Sequence, residues 1–267
     1  MADLSGPEEL PGAVELQSAV ELQSAVELPG AVELPGAVAV SRLRVYDLPT
    51  DDALAGGTPH VHLVSSEAYV VVGGRGLVQT LDGNGYLETD LSTGAIITFG
   101  PGTIHRLVNS GGLDILAIMQ NAGLPESGDA VMTFPPHILS NRDSYRIAAA
   151  LPTGRREPEM NEAVRSRRSL ALSGWEALVA SSEEGDAEPL LTFYRSAQAL
   201  VRASVPDWRA IVDGRAPAQV DRARANLVAI EEDDPAPLRT RTLHQANPDG
   251  AIPSWGMCGR LTTWRGL

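Results

Sequence analysis

Residues 56–76 read GGTPHVHLVSSEAYVVVGGRG, and this stretch decides the fold. Short runs rich in Val, broken by Gly, Ser and Pro, have the texture of strands and turns, too short and too interrupted for a helix. His60 and His62 stand two apart on a predicted strand, so both imidazoles leave the same face, with Cα atoms roughly 6.5 Å apart. That spacing lets two ring nitrogens converge on one ion at about 2.0–2.2 Å. Glu67 follows across a short turn and supplies a carboxylate from the adjacent strand.

The same texture extends on both sides. Strands are predicted at 39–46, 60–63, 67–72, 76–81, 86–91, 95–99, 105–109 and 113–120. The turns between them fall at Gly73-Gly74, Asp82-Gly83-Asn84-Gly85, Gly100-Pro101-Gly102 and Gly111-Gly112. Eight short strands at roughly even spacing argue for an antiparallel sandwich or barrel. A third histidine, His105, opens a strand directly after the Gly100-Pro101-Gly102-Thr103 turn. Three neutral nitrogens and one carboxylate make a mixed site suited to one divalent transition metal, Fe, Mn, Ni, Cu, Co or Zn, and poorly suited to Ca. Strand parity puts Tyr69 and Val71 on the face of Glu67, so Tyr69 is expected to point inward as a candidate catalytic group, with core filling as its bland alternative.

These residues resemble the cupin superfamily. The first motif is read in Gly56 or Gly57, His60, His62, Glu67 and Gly74. The second is read in GAIITFGPGTIHRLVN (94–109), with Gly94, Pro101, Gly102, His105 and Asn109. In the second, the proline stands directly before the glycine where the family usually leaves one residue between them, while the spacing from Gly102 to His105 and Asn109 is intact. The resemblance spans about residues 40–121. It implies a small antiparallel jelly-roll barrel that holds one metal inside through His60, His62, Glu67 and His105, often in a dimer. Members with the same ligands run oxygen-using oxidations, isomerisations and eliminations. The leading expectation is an iron-dependent dioxygenase-type oxidoreductase acting on a small organic molecule, in a cytoplasmic homodimer. A metal-dependent isomerase or lyase on a sugar or hydroxy acid, and a non-catalytic binding module, stand beside it.

The rest of the chain reads differently. Residues 9–38 repeat a hexad, ELPGAV or ELQSAV, five times. On a helix six residues advance about 240° beyond a full turn, so no apolar stripe forms. Five hexads make fewer than two coils of a β-helix, too few to bury a core. Residues 1–38 are therefore expected to be a low-complexity, disordered tail. The barrel is assigned to 39–134. A mainly helical region is expected at 135–267, with helices at 140–150, 160–181, 189–203 and 217–231. All four tryptophans lie in that last region and argue that it packs.

Composition bounds the function. With 21 basic against 34 acidic residues the net charge is 21 − 34 = −13, which repels nucleic-acid phosphates and anionic lipid, so neither is expected as a partner. No apolar run approaches the about 18 residues of a spanning helix, and the acidic start MADLSGPEEL lacks a signal-peptide pattern. The lone Cys258 has no partner for a disulfide and no neighbouring histidine in sequence, so it is expected as a packed thiol. His137 and His244 are expected to be solvated. GGRG and DGNG do not open a helix after a strand and read as hairpin turns, not phosphate loops.

Overall fold

The computed structural model describes residues 34–239, 243–250 and 252–265. The hexad tract expected to be disordered lies outside these residues up to Glu33. Of its last unit, residues 34–38 are described. Leu34 and Val38 close a tight turn over Pro35-Gly36, Ala37 is wholly buried, and the Gly36 N–H donates to Gln219 Oε1 at 2.6 Å.

Seven strands build the barrel: β1 (Ala39–Val45), β2 (His60–His62), β3 (Glu67–Asp82), β4 (Gly85–Ser92), β5 (Ile96–Phe99), β6 (Ile104–Met119) and β7 (Ala130–Met132). All their pairings are antiparallel. Gly73-Gly74 and Gly111-Gly112, expected as turns, are not turns. They lie inside the continuous strands β3 and β6, where the register shifts between Val71 and Gly76. A Cβ on Gly74 (φ +71°) would meet the Gly112 carbonyl oxygen at 2.1 Å, so two backbones touch where only glycine fits. At this bulge both strands change their outer partners. The half of β3 before it pairs with β5 and the half after it pairs with β4. Likewise β6 meets β2 before its glycines and β1 after them. The result is one continuous ten-stranded sheet folded into a jelly-roll barrel.

Alternation then sorts the side chains. Tyr69, Val71, Val78, Leu107, Leu113 and Ile115 form the interior core. Val61, Leu81, Ile104 and Val131 point the other way, into a second core shared with the helices. Those helices are α1 (Pro136–Leu139), α2 (Arg142–Ala149), α3 (Glu157–Glu183), α4 (Glu188–Val201) and α5 (Val205–Glu231). The helix expected at 140–150 is α2, which starts at Arg142 because Asn141 is extended and its side chain accepts the Asp143 and Ser144 N–H groups as an N-cap. The helix expected from 217 starts at 205 and carries Pro217 in its interior. An exposed turn tolerates a proline because the carbonyl it leaves unpaired is solvated.

Helix α3 buries Val164, Ala171, Leu172, Trp175 and Leu178 on one face, at the spacing of a helical stripe. Gly174 on that face lets α3 approach β7 so closely that a Cβ would lie 2.0 Å from the Thr133 oxygen. Trp175 and Trp208 are buried, as their position implied, and Trp208 Nε1 donates to the Ser127 carbonyl at 3.2 Å. The region after 231 departs from the helical expectation. Strands β8 (Asn247–Pro248), β9 (Ser254–Trp255) and β10 (Gly259–Arg265) return to the sheet, with β10 paired to β1. Among the described residues no helix is long and apolar enough to cross a membrane.

Candidate metal centre

Strand β2 is three residues long and lies between β6 and β7, with His60 opposite His105 on one side and Met132 on the other. Pro59 and Thr58 lead into it from a loop. Because His60 and His62 share a face and Val61 takes the opposite one, both imidazoles enter the barrel while Val61 packs against the helices. His105 follows Ile104 by the same alternation. Glu67 opens β3, paired there with Phe99 of β5 and Met119 of β6, and the four side chains meet in one cluster.

One ligand atom from each of His60, His62, Glu67 and His105 lies within 4.8 Å of all the others. Each imidazole has its Nδ1 engaged elsewhere: His60 on the Thr58 carbonyl at 2.9 Å, His105 on the Thr103 carbonyl at 3.1 Å, and His62 on Asp129 Oδ1 at 2.7 Å. That leaves Nε2 as the available ring nitrogen in all three, and those of His62 and His105 approach Glu67. Glu67 Oε2 lies 3.2 Å from His105 Nε2 and 3.7 Å from His62 Nε2. Both Glu67 Oε2 and His105 Nε2 are buried and have no hydrogen-bond partner. Orphaned polar atoms of this kind are costly unless something between them takes their lone pairs, and a divalent cation does so. The residues present fit a metal.

Electrostatically the rings are not alike. Burial pushes the His60 ring well below its usual pKa, and the neighbouring His105 and His62 push it further. Burial also pulls His62 down, but the hydrogen bond to Asp129 and the charges of Glu67 and Asp129 outweigh it, and His62 is raised. Asp129 shows the converse: burial pushes it up, and His62 together with the Ser65 N–H holds it below the usual carboxylate value. Tyr69 lies inside the barrel, edge-on to Phe99 at 5.2 Å and to the His105 ring at 6.1 Å. Burial, with the Glu67 charge, raises its hydroxyl well above 10. Phe99 covers His105, their ring centres 4.3 Å apart.

All four ligands read from the sequence come together, and Tyr69 takes the inward position that parity assigned. His137 and His244 are exposed, as expected. Two neighbours escape a reading along the chain. Asp129 lies in no motif, and nothing in its spacing flags it. Cys258 is the packed thiol expected, but its sulfur sits 3.8 Å from His60 Nδ1, because β10 brings residue 258 back beneath Gly57. Burial raises this thiol to about 12.

Residues 52–119 match the family model described as a cupin domain. The barrel of this chain is a cupin domain. Solved structures of similar fold include a double-stranded β-helix domain protein from Klebsiella pneumoniae, 20% identical over 34% of this chain and 73% of that one, with a TM-score of 0.28. A Cupin 2 conserved barrel domain protein from Salinispora arenicola is 21% identical over 33% of this chain and 66% of that one, with a TM-score of 0.26. The nucleoside dehydratase Pac13, known from Streptomyces, is 17% identical over 37% of this chain and 69% of that one, with a TM-score of 0.28. No curated protein matches the chain.

Proposed function

We propose that this protein is a metal-dependent oxidoreductase of dioxygenase type, with iron held by His60, His62, Glu67 and His105, acting on a small organic molecule in a cytoplasmic homodimer. The observation that carries the metal reading is the convergence of one ligand atom from each of His60, His62, Glu67 and His105, with Glu67 Oε2 and His105 Nε2 buried without a partner. A bound iron supplies redox and Lewis-acid chemistry. The chain's own residues supply the rest. Backbone carbonyls of Thr58 and Thr103 fix two of the rings, so the donor set is held before any ion arrives. Phe99, Leu107 and Tyr69 line the interior with apolar surface and exclude water from the reacting centre. Tyr69 retains its phenolic proton at neutral pH and in this role donates a hydrogen bond to a substrate oxygen. The His62 side chain is 11% exposed against 0% for His105, so substrate approaches on the His62 side.

The test is oxygen uptake by the Fe2+-loaded protein across a panel of small hydroxy, keto and phenolic compounds. Substrate-dependent uptake, lost in Tyr69→Phe without loss of metal, is the expected result. Turnover of a panel compound in strictly anaerobic buffer with Zn2+ or Mn2+ would replace this reading with an isomerase or lyase. A protein that takes up no transition metal would overturn it.

A further inference from the structure

We propose that Asp129 is a positioning residue of the metal centre: it locks the His62 ring so that Nε2 faces the other ligands. This rests on the metal reading above and goes beyond the four-ligand set.

The three histidines are not held alike. His60 and His105 each give their Nδ1–H to the carbonyl two residues back, Thr58 and Thr103. Both of those carbonyls lie in loops, outside any strand, and are free to accept. For His62 the residue two back is His60, which sits inside the ladder between β6 and β7. No local acceptor of that kind remains, so the ring needs one from elsewhere in the chain. Asp129 supplies it at 2.7 Å from a position wholly removed from solvent.

The carboxylate is itself fixed. Its Oδ2 accepts the Ser65 N–H at 2.9 Å, and its backbone carbonyl accepts the Leu63 N–H at 3.1 Å. The next residue, Ala130, is the register partner of His62. Asp129 is thus clamped to the same strand end that it orients. His62 is also the ligand with the most exposed side chain of the three histidines whose orientation matters here, the one whose ring has the least packing to hold it. A carboxylate acceptor also makes the opposite ring nitrogen a stronger donor than a carbonyl acceptor does.

Asparagine at 129 keeps the shape and breaks the logic. If its oxygen faces His62, its NH2 meets the Ser65 N–H, donor against donor. If its NH2 faces His62, Nδ1 must accept, and the proton moves to Nε2, where it blocks the metal.

The experiment strips the full-length protein with a chelator and titrates it with Co2+, following the visible spectrum. Wild type, Asp129→Asn and Asp114→Asn are compared, the last as a carboxylate that pairs with Arg42 and is not a member of the cluster. The expected result is a loss of about 10- to 100-fold in Co2+ affinity in D129N alone, with the apo-protein still cooperatively folded. Affinity of D129N within about threefold of wild type would overturn the role of Asp129 and leave the metal reading intact. A wild type that takes no Co2+ would overturn both. Should D129N not fold, the wild type decides by long-range 1H–15N NMR of the Zn2+-loaded form. His62 carrying its proton on Nδ1, shifted as for a carboxylate partner, supports the lock, and a His62 Nδ1 without a proton overturns it.

Discussion

His60 and His105 are direct register partners across the β2–β6 pair, their ring centres 4.2 Å apart. Two ligands are therefore set by one backbone pairing, and their separation does not depend on side-chain reach. The third and fourth candidate ligands, His62 and Glu67, come from the same strand β2 and from the start of β3. Replacing one residue on each strand, in a His62→Ala, His105→Ala double variant, should remove the metal while Val61 and Leu107 keep the strands packed. Elemental analysis should find near-stoichiometric transition metal in wild type and at least about tenfold less in the variant, since even the partner of a single ligand is worth 10–100-fold. Unchanged metal content would show that the ion, if any, is held elsewhere.

Gly174 decides how closely the helical half approaches the barrel. Alanine in an exposed helix interior is better than glycine by about 1 kcal/mol. At 174 the added Cβ would lie 2.0 Å from the Thr133 oxygen, and a backbone atom has no rotamer through which to yield. Overpacking of that kind costs about 1–3 kcal/mol or more and outweighs the propensity gain. Gly174→Ala should therefore lower the melting temperature. Gly214→Ala in α5, where nothing lies within 4 Å of the new Cβ, should leave it unchanged or raise it. Equal effects at the two positions would show that α3 does not pack as tightly as described.

The strands and the clustering of His60, His62, Glu67 and His105 were legible because alternation and spacing are local properties. His60, His62 and Glu67 fall within eight residues, and the parity that sent Tyr69 inward holds in the barrel. The glycine pairs at 73–74 and 111–112 misled for a physical reason: a bulge and a turn demand the same freedom from a Cβ, and only the partner strand distinguishes them. Asp129 and Cys258 were silent because their roles depend on contacts 67 and 198 residues distant along the chain. The return of β10 was hidden likewise, since the run GRLTTWR follows a long helical stretch and nothing nearby names its partner.

That return strand extends the sheet beyond β1. β10 pairs with β1 from Ser41–Thr263 to Val45–Gly259, and the chain just before it adds further ties. The Met257 carbonyl accepts from the Thr58 hydroxyl at 2.8 Å, and the Gly256 carbonyl accepts from Arg167 at 2.7 Å and from the Tyr46 hydroxyl at 2.9 Å. Ending the chain at Pro253 would bare an edge of β1 and uncover the loop that carries Thr58, the residue that orients His60. The truncated protein is expected to aggregate or to melt well below wild type, with metal lost in whatever fraction stays soluble. A soluble truncation with an unchanged melting curve would mean that the return strand is ornamental.

On the opposite side of β6, Arg106 is buried and meets Asp52 at 2.6 Å, with Asp52 also accepting from the Thr50 hydroxyl and the Leu54 N–H at 3.0 Å each. Burial pushes the Asp52 carboxyl up, but the Arg106 charge and these hydrogen bonds outweigh it and hold it below its unfolded value of 3.8. A carboxyl whose folded value is depressed stabilises the fold above its unfolded pKa, and that stability is lost as pH falls through the folded value. Asp52→Asn should therefore cost about 1.5–3 kcal/mol at neutral pH, the range for hydrogen bonds to charged groups. The gap between the two melting curves should then narrow as pH drops below about 4, because wild type loses the same interaction by protonation. A gap that stays constant from pH 7 to 2 would show that the ion pair contributes nothing and that the cost of D52N is packing alone.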